Sequence, residues 1–215
     1  MGVGGVVYIK QMGVPGKPPP RVGKRSLLWR YDTNIFPELI DPVIQVTTWK
    51  AGTFEDQPMF LDVFDCYDNP EPSYRNPRML ENACKEGDGF LLVYSVDSRQ
   101  SLDAIQTFLD EISQWRDGAE GGRGMPPLVV VGNKCDLKGG EREVSFRDGQ
   151  QVADKLGAGF FEVSAKEGVN VREPYEEVAR RVLTRRWHPT ATQPSRSAAS
   201  NVKSKRYSSM KCLIA

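Results

Sequence analysis

Asn133, Lys134 and Asp136 stand in the stretch VVVGNKCDL (129–137), at the end of a run of apolar residues. About thirty residues further on, a second apolar run delivers Ser164-Ala165-Lys166. Each triplet follows a candidate buried strand, and in sheets of parallel strands ligands sit at the carboxyl ends. An aspartate carboxylate there accepts two hydrogen bonds side by side, from the N1–H and the exocyclic amino group of guanine. Adenine offers neither and leaves the buried carboxylate unpaired, a mismatch that costs ~10⁴ or more in selectivity. The lysine stems can lie along the flat faces of the ring. The plain alternative is that Asn133 and Asp136 only close a turn. Two loops, each behind a strand and in this order, favour a guanine pocket.

PPPRVGKRSLLWRY (18–31) poses the matching question about phosphate. Gly23-Lys24 before an apolar helix fits the end of G-x-x-x-x-G-K-[ST]. In that loop, backbone N–H groups cradle phosphates, Lys reaches the terminal ones and the hydroxyl holds Mg2+. Counting back from Gly23 puts Pro18 at the first glycine and Pro19, Pro20 and Arg21 inside the loop, while Arg25 takes the hydroxyl position. Proline has no N–H and a fixed φ. Losing two charge-assisted hydrogen bonds weakens phosphate binding by about 3–6 kcal/mol. Gly13, in MGVPGK after a candidate strand, is an alternative start that gives the loop an insertion. Arg25 also has two readings: its guanidinium takes the metal's place and holds phosphate as a fork, or it points to solvent.

Stepwise apolar runs define the elements that must position these groups. VVYI (6–9) reads as a first strand; 44–51 and 59–65 flank a polar turn and read as an antiparallel hairpin; 89–96, 127–133 and 160–165 read as further strands. The last three are continuously apolar, as strands covered on both faces are. Ile105, Phe108, Leu109 and Ile112 share one helical face after a candidate cap at Ser101, and Tyr175, Val178, Val182 and Leu183 repeat that pattern. Strand–helix alternation of this kind predicts an α/β fold with a mostly parallel sheet.

The chain has 215 residues, 39% of them hydrophobic and 27% charged, with a net charge of +1. That suits one domain with appendages and gives no basic excess for nucleic acid. No apolar run reaches the length of a membrane span. Cys66, Cys84, Cys135 and Cys212 show no paired spacing, so neither a disulfide framework nor a zinc site is expected and a reducing compartment is. His188 is the single histidine, which excludes histidine-based triads and multi-histidine metal sites. The N-terminus has no charged n-region, and Val6 stands where a myristoylation signal has Ser or Thr.

With the Gly-Lys loop, NKCD and SAK in this order, the chain resembles a Ras-superfamily small GTPase over about residues 6–186. The resemblance implies a P-loop NTPase-like fold with a six-stranded, mostly parallel sheet inside a domain of residues 1–186. It implies that Asn133, Lys134 and Asp136 recognise the guanine of GTP or GDP, that Ser164, Ala165 and Lys166 complete the pocket, and that Gly23 and Lys24 serve the phosphates. YDTNIFPELIDPVI resembles the first switch and places Phe36 against the base edge; LDVFDCYDN makes Asp65 the carboxylate that contacts Mg2+ through water. Val43 then replaces the first-switch Thr. Asp68 and Asn69 replace the second switch's Gly and its water-orienting Gln, leaving Asn69 as the shortened catalytic candidate. Base recognition is expected to survive and hydrolysis to be weak or absent. The implied partners are effector, exchange-factor and GTPase-activating proteins.

Residues 187–215 turn to Pro, Ser, Thr, Ala and Lys without periodicity, as disordered tails do. They end in Cys212-Leu-Ile-Ala, a C-a-a-X box whose final Ala favours farnesylation of Cys212. Lys203, Lys205, Arg206 and Lys211 add the second signal that one lipid chain requires, ~1 kcal/mol each near an anionic leaflet. The expected place is the cytoplasmic face of a membrane, the plasma membrane first. Two other readings stay open: a non-catalytic pseudo-GTPase acting as a protein-interaction module, and a defective product in which the proline-rich segment is a mis-joined piece.

Overall fold

The computed structural model describes residues 5–13, 22–39, 47–66, 77–117 and 124–188. Pro18, Pro19, Pro20, Arg21, Val43, Asp68, Asn69 and the tail with Cys212 lie outside the described residues. The strands are β1 (Val6–Met12), β2 (Thr47–Phe54), β3 (Gln57–Asp65), β4 (Gly89–Ser95), β5 (Leu128–Asn133) and β6 (Gly159–Glu162). They form one sheet in the order β2-β3-β1-β4-β5-β6. β2 and β3 pair antiparallel, and every other neighbouring pair is parallel. This is the six-stranded, mostly parallel α/β architecture that the sequence predicts.

The central strands follow from their composition. Every residue of β4 and β5 is buried, because Leu, Val and Phe fill both faces beneath helices. The β2–β3 hairpin turns through Glu55 and Asp56, at φ 47° and 61°. Two positive φ values in a two-residue loop match the right-handed twist of the strands they join. β1 is longer than the apolar run at 6–9 because its polar end is satisfied in place. Gln11 is fully buried against Tyr175, whose hydroxyl donates to Gln11 Oε1 at 2.6 Å. The Lys10 ammonium sits 4.8 Å from the centre of the Phe64 ring.

Helices α1 (Lys24–Thr33) and α6 (Glu173–Trp187) cover one face of the sheet. Leu27, Leu28 and Tyr31 meet Tyr175, Val178, Val182 and Leu183 there, over Val7, Ile9, Leu61 and Val63. Tyr31 and Tyr175 stack with ring centres 4.1 Å apart. Helices α2 (Pro77–Glu86), α4 (Ile105–Asp117) and α5 (Phe146–Leu156) contribute to the other face, where Ala83, Cys84, Ile105, Phe108, Leu109, Ile112 and Ala153 pack on Phe90, Leu92 and Val130. Each fully buried aliphatic or aromatic side chain of this kind contributes about 1.5–3 kcal/mol.

One local expectation is corrected. A short helix, α3 (Arg99–Asp103), precedes α4, and its cap is Ser98 rather than Ser101. Ser98 Oγ accepts from Ser101 N at 3.3 Å. Ser101 is buried in the helix, where its hydroxyl donates to Ser98 O at 2.7 Å and accepts from Ser95 N at 3.0 Å. The serine chosen from the helical pattern therefore fastens the turn to the end of β4. The carboxyl ends of β1, β4, β5 and β6 share one edge of the sheet, with Ser95 beside Asn133 in register.

Candidate functional site

Asn133 is the last residue of β5 and only 2% exposed. Its Nδ2 donates to Val22 O at 2.9 Å, and its Oδ1 accepts from Ala165 N at 3.2 Å. One side-chain amide thus joins the entry to α1 with the loop after β6. Gly23 makes the approach possible: it has φ 81°, and a Cβ there would stand 2.4 Å from Asn133 Nδ2. Any other residue would be both strained and in collision.

Asp136 Oδ1 accepts from Ser164 Oγ at 2.5 Å, and that Ser164 Oγ in turn accepts from Glu167 N at 2.9 Å. The hydroxyl therefore orients the carboxylate and holds its own loop, which a bridge between Ser164 and Val169 closes. Lys134, at φ 67°, sends Nζ to Asp97 Oδ2 at 2.8 Å. Ser95 Oγ also donates to Asp97. Burial works to raise the Asp97 carboxyl, but the bonds from Lys134 and Ser95 outweigh it and hold the group below its ordinary range. Ala165 is buried and Lys166 exposed, at the same strand end. Phe36 lies beyond α1 and is 38% exposed.

The phosphate side is built differently. Gly13 directly follows β1, and a Cβ there would stand 2.5 Å from Val93 O. Lys24 Nζ donates to Gly13 O at 2.8 Å and to Cys66 O at 3.0 Å. Gln11 Nε2 donates to Lys24 O at 2.7 Å. The Lys24 ammonium therefore ties the start of α1 to the ends of β1 and β3. Pro18, the other loop start compatible with the sequence, lies outside the described residues.

Arg25 does not point to solvent. Its Nε lies 3.6 Å from Asp65 Oδ2, an ion pair with side-chain exposures of 13% and 2%. Asp65 Oδ1 is buried without a hydrogen-bond partner. Burial pushes the Asp65 carboxyl above its ordinary range, and Lys24 and Arg25 offset this only in part. Burial likewise pushes the adjacent Cys66 thiol up to about 12, so it is no nucleophile at neutral pH. Mg2+ requires oxygen ligands in near-octahedral geometry. Residue 25 offers a permanent cation instead of an oxygen, and it faces the carboxylate that the family resemblance assigns to the metal. This donor set does not fit a magnesium ion.

Asp97, Ser95 and Gln11 are members of the site that the motifs leave out. Asp97 follows β4 at the edge where ligands bind in such sheets, a position that could have drawn attention to it. Gln11 sits inside a strand whose polar end hides it from an apolar pattern.

The sequence profile of the Ras family matches residues 19–184. Ras-like protein 1 of Saccharomyces cerevisiae is 37% identical over 161 residues, which cover 75% of this chain and 49% of the yeast protein. The chain thus spans about half the length of that relative. Ras-like protein rasW of Dictyostelium discoideum is 34% identical over 179 residues, covering 83% of this chain and 78% of the relative. A profile match over most of the chain, with relatives above 30% identity, shows that the chain belongs to the Ras family of small GTPases.

Proposed function

We propose that this chain is a membrane-anchored guanine-nucleotide-binding protein in signal transduction whose own GTP hydrolysis is weak or absent. The observation that carries the first half is the joined base-side edge. Asn133 links Val22 to Ala165, and Ser164 braces the Asp136 carboxylate at the mouth of β5. A carboxylate oriented in this way suits the paired N–H groups of guanine. Lys134, steadied by Asp97, offers its stem to one ring face, and Lys166 and Phe36 are the further candidates for contact. Gly23 and Lys24 would meet the phosphates of GDP or GTP.

The second half rests on the residues present for chemistry. Arg25 faces Asp65, and Val43, Asp68 and Asn69 replace the groups that the family resemblance assigns to metal, γ-phosphate and attacking water. Without those groups the two nucleotide states differ less at the switch segments, because γ-phosphate and metal contacts are what order such loops. The ion pair also favours a second reading, a non-hydrolysing module that signals by binding protein partners. In either reading effectors, exchange factors and activating proteins are the partner classes. The tail would hold the protein to an anionic cytoplasmic leaflet through farnesylated Cys212 and its basic neighbours.

Identification of the nucleotide that co-purifies with the protein tests the central reading: GDP or GTP is expected, and an equal preference for adenine nucleotides would end it. Single-turnover hydrolysis of bound GTP separates the two halves, since rapid turnover would remove the second while leaving the first. Replacement of Cys212 by Ser should release the protein from membranes in a fractionation; undiminished membrane association would defeat the lipid anchor.

A further inference from the structure

We propose that this chain holds the phosphate end of its nucleotide without a divalent metal, with the Arg25 guanidinium in the metal's place and Asp65 as its anchor. The inference rests on the nucleotide-binding reading above and adds how the phosphate charge is met. Lys24 and Arg25 are consecutive at the start of α1, a helix of 10 residues. Both cations therefore stand where helix geometry already favours anions. The Arg25 side chain is drawn inward, 13% exposed, with Nε 3.6 Å from Asp65 Oδ2.

Asp65 is the reason for that direction. It is a charged group in the interior, and such a group is tolerated only where an opposite charge faces it. An arginine supplies that charge permanently, since it stays protonated at any working pH. Its five N–H donors in a planar fork allow one guanidinium to serve a carboxylate and a phosphate together. A divalent ion brought to the same place would meet like charge from Arg25 and find no hydroxyl at residue 25. The two solutions exclude each other, and the residues present are those of the metal-free one.

The test uses the full chain, stripped of nucleotide, with GDP as the probe. Titration calorimetry in excess Mg2+ and in excess EDTA should return dissociation constants that agree within about twofold. A loss of about tenfold or more in EDTA overturns the proposal while leaving guanine-nucleotide binding intact. Absence of GDP binding in both conditions overturns the nucleotide-binding reading and this inference with it. Arg25→Ser restores a hydroxyl and should create the dependence the wild type lacks: binding about tenfold weaker in EDTA, recovered in part by Mg2+. An Arg25→Ser protein that binds GDP as the wild type does, with or without metal, also overturns the proposal. The wild-type comparison stands even where that variant does not fold.

Discussion

The base side and the phosphate side of this site share one edge of one sheet, yet they are held by different physics. On the base side, position is set by backbone conformation and close hydrogen bonds, among them the Lys134–Asp97 pair. Gly23 and Lys134 take left-handed φ values, Asn133 spans two loops, and the Ser164 hydroxyl aims a carboxylate. On the phosphate side, position is set by charge, with Lys24 and Arg25 gathered around a buried Asp65. The carboxylates record the difference. Asp97 on the base side is held below its ordinary range, whereas Asp65 on the phosphate side is pushed above it. Hydrogen-bond geometry tolerates little substitution, because each group has one place to be. A charge balance can be met by another cation, and here Arg25 stands where a metal is expected. Retention of one half of a ligand site thus says little about the chemistry of the other half.

The largest expected effect breaks the base side alone. Asp136→Ala should weaken GDP binding by about 10²–10⁴, the worth of two charge-assisted hydrogen bonds at ~1.5–3 kcal/mol each. ADP binding should not change, and calorimetry with both nucleotides checks this. Next is Gly23→Ala, which meets Asn133 Nδ2 and an unfavourable φ; it should cost about 2 kcal/mol or more of stability in urea unfolding. Gly140→Ala, facing open space, is the control and should stay within about 0.5 kcal/mol. A smaller loss, about 1–3 kcal/mol, is expected for Ser164→Ala, which leaves Glu167 N and the Asp136 carboxylate without their common partner. It should appear in both unfolding and GDP titration; a change in neither would detach Ser164 from the site.

The smallest effect sharpens the contrast between the two carboxylates. Because the folded-state pKa of Asp97 is lowered, its contribution is present above the unfolded value of about 3.9 and is lost as pH falls through the folded one. The stability gap between wild type and Asp97→Asn should therefore be widest near neutral pH and close below about pH 4. Asp65 acts with the opposite sign: its raised pKa adds stability on the acid side, which is lost as pH rises. A gap for Asp97→Asn that does not close in acid, measured by urea unfolding across the range, would remove Asp97 from the base-side charge balance.

Much of this was legible from residue order. The buried strands β4 and β5 are unbroken apolar runs, and NKCD follows one of them directly, so that element and motif support each other. The hairpin was visible as two strands about a polar turn. What escaped depends on partners distant in sequence. Gln11 extends β1 only because Tyr175 waits across the core. Ser101 and Ser98 are alike in type, and only the fold of the chain behind β4 decides which one caps. The direction of Arg25 is fixed by Asp65, forty residues later, and no local pattern holds that information. For the same reason no pattern foretells that Gly13 lies so close against Val93.

Lys24 carries a last consequence. An ammonium has three hydrogens to give, and two of them already go to carbonyls at the tips of β1 and β3. These tips are thus stitched together by one side chain, which also belongs to the first turn of α1. Shortening Lys24 would cut loose two strand ends and a helix start at a single stroke.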